Sequence, residues 1–195
     1  WCVFNVGSAF SAGADAGMAM LVTHLSAAVA SLVWMIIEWA KFGKPSVVGL
    51  VTGTIAGLAT ITPASGFVGP VGGVCLGLAG GFLCYFAVDL VKRTCKLDDS
   101  LDVLAVHGVG GATGTLLAAV FASSALGGAG FGEGVTMGSQ FTVQAIGVVS
   151  AIAWSAVASY VIVKVTQAVC GLRVTEDQTI EGLDFASHGE KGYHF

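Results

Sequence analysis

Residues 45–88 read PSVVGLVTGTIAGLATITPASGFVGPVGGVCLGLAGGFLCYFAV, an unbroken run without Asp, Glu, Lys or Arg. About 20 apolar residues cross the roughly 30 Å hydrocarbon core of a bilayer, so this run is long enough to cross twice. Its middle supplies the turn. Thr62-Pro63-Ala64-Ser65-Gly66 and Gly69-Pro70 combine prolines, which remove backbone donors, with glycines, which permit tight turns. Outward from this helical hairpin, residues 16–37, 103–132 and 134–163 are equally free of charge. The pattern predicts five complete spans, at about 16–40, 46–62, 70–93, 100–122 and 138–170. An apolar leader, Trp1 to Phe10, is too short to cross, because ten helical residues cover only about 15 Å.

Composition agrees with an all-α polytopic membrane helical bundle. Of 195 residues, 55% are apolar and 10% charged, against about 25% charged in soluble domains. The net charge of −4 and the lack of a basic tract exclude nucleic acid as a partner. Twenty-nine glycines without a G-X-Y period, beside abundant Leu, Val and Ile, exclude collagen and disorder. The five cysteines form no C-x-x-C pair and read as small buried hydrophobes.

The eight basic residues orient the chain. Lys41 and Lys44, then Lys92, Arg93 and Lys96, then Lys164, Arg173 and Lys191 all fall at alternate junctions, which the positive-inside rule assigns to the cytoplasm. The expected division is a transmembrane domain over 1–170 and a cytoplasmic tail over 171–195, in a multi-pass cell-membrane protein. A leader that begins on Trp1 without a basic n-region is read as the second part of a helix cut by the start of the chain.

Lipid gives helices no hydrophobic reason to associate, so close contact across small residues must do it. Gly49, Gly53, Gly57 form one ladder and Gly69, Gly73, Gly77, Gly81 another, with Gly110 and Gly114 a shorter one. Beside the last lies His107, eight residues beyond Asp99 and so about 12 Å along a continuous helix. An ionisable side chain at that depth faces a cavity, a pathway or a partner, and a neutral imidazole both donates and accepts a hydrogen bond. His24 is similarly deep, and spacing alone does not rank the two; it reads as a hydrogen-bonding contact to a neighbouring helix or subunit. His188 and His194 fall in the polar tail. No His, Cys, Asp or Glu set within a span has ligand spacing, so no metal site and no cofactor are expected.

Asp98, Asp99 and Asp102 precede the His107 helix and suit its positive end. Glu38 and Asp89 are placed for ion pairs with Lys41 and with Lys92 or Arg93; Trp34, Trp39 and Tyr85 read as interfacial anchors, and Trp154 as a packing residue. In the leader, Trp1, Phe4 and Ser8 share one helical face, and aromatic faces attract cations.

Several long motifs, in order, resemble the ammonium transporter (Amt) family across essentially the whole chain: Trp1-Cys2-Val3-Phe4-Asn5-Val6-Gly7-Ser8-Ala9, Glu38-Trp39 with Gly43-Lys44-Pro45-Ser46, Ile61-Thr62-Pro63-Ala64, Asp98-Asp99-Ser100-Leu101-Asp102-Val103, His107-Gly108-Val109-Gly110-Gly111 and Gly171-Leu172-Arg173-Val174. Glu181-Gly182-Leu183-Asp184 and His188-Gly189-Glu190 extend the likeness into the tail. The resemblance implies a homotrimer of eleven-helix subunits, each with a pore between two inverted five-helix repeats. This chain would supply the second repeat and the final helix. It further implies that His107 is one of two pore histidines, Phe4 one of two gating phenylalanines, and Ser8 part of an ammonium-recruiting vestibule. Trp1, Val103 and Thr62 would lie on or near the pore, with Asp102 a structural residue beside it. His24 matches no functional residue of the family. The chain departs from the family at Cys2-Val3 and at Leu104-Ala105, where Phe-Gly is common in both places.

The function so implied is passage of ammonium and ammonia through a hydrophobic pore, with deprotonation at its mouth and proton relay by the histidines, and with no enzymatic step. The alternatives are an ammonium sensor signalling through the tail, where a PII-type signalling protein is the implied partner, and a fragment without activity when isolated.

Overall fold

The computed structural model describes residues 1–192. Two units follow from the contacts, Trp1–Val149 and the chain from Ser150 onward, and each is described by itself.

The first unit is entirely helical. A short helix α1 (Cys2–Gly7) is followed by α2 (Ala14–Phe42), α3 (Val47–Ile61) and α4 (Pro70–Asp89), which continues as a π-helical turn over Leu90–Thr94. The His107 segment starts as a π-helical turn, Val103–Gly108, and continues as α5 (Val109–Phe121). The long helix α6 (Met137–Val169) begins in this unit. Four helices, Ala14–Phe42, Pro70–Thr94, Val103–Phe121 and Met137–Val169, are long and apolar enough to cross a bilayer. The expected span at 46–62 is Val47–Ile61, of 15 residues, which rises only about 22 Å. Pro63 and the turn after Thr62 stop it early. The chain is thus an all-α, multi-pass membrane bundle.

Apart from Gly69, which meets Gly127, both glycine ladders close on the same helix. A Cβ at Gly53 would stand 2.6 Å from Trp34 Cβ, and one at Gly57 would run into the carbonyl oxygen of Ser26. From the other side, Cβ atoms at Gly77 and Gly81 would stand 2.7 Å and 2.8 Å from the carbonyl oxygens of Ser26 and Ala30. Real Cβ atoms do not approach so closely, so only glycine lets these backbones meet. The order of these contacts along the chain makes α2 antiparallel to α3 and parallel to α4. Ser26 Oγ donates to the Gly57 carbonyl at 2.8 Å across the tightest approach, and Gly114 packs in the same way on the carbonyl of Thr60.

Chain ends and turns are capped by specific side chains. Glu38 is not ion-paired with Lys41 as expected. Gly43, in the left-handed region, reverses the chain so that Ser46 N and Oγ both donate to the Glu38 carboxylate, at 2.7 and 3.0 Å to Oε2. Lys41 Nζ instead lies 4.8 Å above the rings of Tyr85 and Phe86. The Asp89–Arg93 pair does form, at 3.1 Å. Trp34 and Tyr85 do not face outward as anchors would: they are 5% and 9% exposed and meet edge-on in a cluster with Ala56, Ala59, Cys84 and Val106. Trp39 is exposed.

The second unit contains the remainder of α6, which has no buried residue along its length, and Trp154 is exposed where packing was expected. Two short helices follow, α7 (Glu176–Glu181), opened by a capping box between Thr175 and Gln178, and α8 (Leu183–His188). His194 lies outside the described residues.

Candidate functional site

The start of the His107 helix differs from the continuous helix that the spacing predicts. Residues 98–102 do not join it; Asp102 adopts the left-handed conformation, φ 56° and ψ 29°, and helical geometry begins at Val103. Of the three carboxylates placed there, Asp99 is the cap. Its two oxygens accept the backbone N–H groups of Val103, Leu104 and Ala105 at 2.8, 2.9 and 3.2 Å, satisfying three of the four donors that a helix start leaves free. Asp98 accepts from Ser100 Oγ at 3.2 Å. Asp102 faces sideways, with Oδ1 2.7 Å from Lys92 Nζ.

His107 therefore stands only one turn into its helix, on the exposed surface of the bundle. Trp1 covers one face of its ring: the centroids are 5.8 Å apart and the planes 10° from parallel. The Trp1 indole N–H donates to Thr62 Oγ1 at 2.7 Å, and the Thr62 hydroxyl in turn donates to the Leu58 carbonyl at 2.7 Å. Thr62 sits where α3 ends and the Pro63 turn begins, so the helix stop that divides the longest apolar run also fixes the indole.

Beyond Thr62 opens a cleft of about 440 Å³ whose lining includes Phe4, Ser8, Asp15, Thr62 and Ser65. Phe4 is 66% exposed, and Ser8 Oγ donates back to the Phe4 carbonyl at 2.9 Å. Ser8, Phe4, Thr62, Trp1 and His107 are thus continuous, from a cleft bearing one carboxylate and no basic residue to an imidazole. Val103, one turn before His107, is exposed. An aromatic face, hydroxyls and a carboxylate suit a small cation, and a neutral imidazole next in line can accept a proton. Among the described residues no group of three or more potential metal ligands occurs.

A model of the Ammonium Transporter Family matches residues 1–193. The chain belongs to that family. The ammonium transporter of Aquifex aeolicus is 43% identical over 100% of this chain and 45% of its own length. Ammonium transporter Amt1 of Archaeoglobus fulgidus is 43% identical over 99% and 49%. The solved structure of a Sensor Amt Protein superposes with a TM-score of 0.88 at 34% identity, covering 96% of this chain and 46% of the other. The chain spans about half the length of the curated relatives it matches. Membership of this transporter family agrees with the expectation of a protein that is not an enzyme.

Asp15 and Ser65 were not singled out in the sequence. The short connection between α1 and α2 was the available signal, because it turns the first residues of α2 back toward Ser8. His24 does contact a neighbouring helix, with Nδ1 3.5 Å from Cys2 Sγ.

Proposed function

We propose that this chain forms the second half of an ammonium transporter, in which ammonium enters the Phe4–Ser8 cleft and gives up its proton near Trp1, the ammonia passes along a pore wall carrying His107, and the proton is relayed across by the His107 imidazole and its partner histidine, so that net charge crosses. A bare cation in a low-dielectric pore costs several kcal/mol even after relaxation, so charge and ammonia must part at the entrance. The Trp1–His107 stack, tied through Thr62 to the cleft, is the observation that carries this reading. His107 would work with a second histidine from the first half, and Val103 would line the same wall. The remaining proposals are a homotrimer of eleven-helix subunits built from inverted repeats, a transmembrane domain over 1–170, and a cytoplasmic tail over 171–195 that meets a PII-type signalling protein. Replacing His107 by Ala in the full-length transporter should abolish or change the ammonium-dependent current of proteoliposomes; an unchanged current would refute the assignment.

A second reading is an ammonium sensor that signals through its tail, and the likeness to the Sensor Amt Protein favours it. Liposomes separate the two: a transporter carries ammonium-dependent current without any cytoplasmic partner, whereas a sensor binds ammonium and conducts poorly.

A further inference from the structure

The Asp99 cap fixes where the His107 helix starts, and the buried Ala105 and Val106 seat its inner face against the bundle, which bounds its rotation without holding the turn from the side of Asp102. A second tether exists. Asp102, immediately before Val103, and Lys92, in the π-helical end of α4, meet at 2.7 Å, with side chains 20% and 38% exposed. Asp102 Oδ1 is buried, and no hydrogen bond of acceptable geometry reaches it, so the Lys92 ammonium is its one close partner among the described residues. Asp102 is also held at φ 56°, a region that a residue with a Cβ occupies at a cost. Both partners adjoin π-helical turns, which occur mostly as single irregular turns and often at functional sites. An ion pair withdrawn from water contributes little net stability. Its effect here is geometric.

We infer that Lys92 and Asp102 are positioning residues that set the rotation of the Val103–Gly108 turn and so hold the His107 ring flat against Trp1. The inference rests on the proposed conducting role of His107 and goes beyond it by naming what aims that side chain. The pair touches neither the cleft nor the ring. Its loss acts on passage and not on recruitment.

In proteoliposomes of the full-length transporter, Lys92→Met and Asp102→Asn should each lower the maximal ammonium-dependent current about tenfold while the half-saturating concentration changes by less than about twofold, since small misplacements of a working group already cost large factors in rate. Asn adopts the left-handed conformation readily, so Asp102→Asn removes charge without changing the backbone. The neutral double variant should stay as slow as the singles, and Lys92→Arg should conduct as wild type. Recovery of wild-type current in the double variant would overturn the inference, because the single defects would then be the cost of one uncompensated charge; so would normal current in both singles. Where Asp102→Asn does not fold, Lys92→Met at the more exposed partner is read alone, and normal current in it overturns the inference. His107→Ala measured alongside keeps the two ideas apart: wild-type current there sinks the conducting role, whereas lost current there with normal current in Lys92→Met sinks the positioning role alone.

Discussion

Thr62 shows how much one hydroxyl can organise. It ends a helix, accepts the Trp1 indole N–H and borders the cleft. Thr62→Val keeps the shape and removes the acceptor, at a cost of about 1 kcal/mol, since the half-exposed indole N–H can turn to water. Thermal unfolding in detergent should show that loss together with reduced ammonium-dependent current, and Thr62→Ser should restore both. At this scale the sequence was informative about which residues matter and silent about how they meet. Trp1, Phe4 and Ser8 could be placed on one face by spacing, and the structure joins them to Thr62 and His107. The left-handed turn at Asp102 carries no glycine to announce it, so the true start of the His107 helix was not legible. Glu38 misled for a related reason: an acid one turn before a lysine suits an i,i+3 pair, but the reversal at Gly43 brings better donors from Ser46.

Among the elements, spans were legible because missing charge and a required length are one-dimensional signals. The ladders were legible as contacts, though not as contacts with one shared helix. Two predictions belong here. Asp99→Ala frees three backbone donors at once and should lower helix and protein stability by about 1 to 3 kcal/mol, read as a reduced unfolding midpoint; an unchanged midpoint would mean that water replaces the carboxylate without loss. Gly57→Leu drives a side chain into the Ser26 carbonyl and should abolish the folded species on size exclusion, whereas Gly17→Ala, with open space around it, should be tolerated and add up to about 1 kcal/mol through helix propensity. Equal behaviour of the two variants would refute the close-packing account. Trp34 and Tyr85 mark the limit of an element-level reading: an aromatic near a helix end looks like an anchor until the neighbouring helix is known to cover it.

The whole molecule is where a chain matching about half of its relatives' length leaves most to be tested. A pore needs two walls, and α6 shows no buried residue in this chain. The 195 residues reconstituted alone should therefore pass no ammonium-dependent current, while a full-length transporter with both proposed halves should; current from the isolated chain would overturn the two-wall reading. Topology is equally open to measurement. With the tail on the cytoplasmic side, Cys170, exposed as Cys95 also is, should when kept as the sole cysteine of the full-length protein react with a membrane-impermeant maleimide in inverted vesicles and stay protected in intact cells, and Cys170→Ser should remove that labelling. The reverse pattern would invert the orientation argued from the basic residues.

Ser26 and Ala30 of α2 are pressed from two directions, by Gly57 and Gly53 on one flank and by Gly77 and Gly81 on the other. A single added methylene there would need room from two neighbours at once, and neither has any to give. Deep mutational scanning should thus score these positions among the least permissive in the chain, although neither lines the Phe4–Ser8 cleft. Intolerance at this crossing is a property of assembly, and mapping it as part of a selectivity mechanism would misplace its origin.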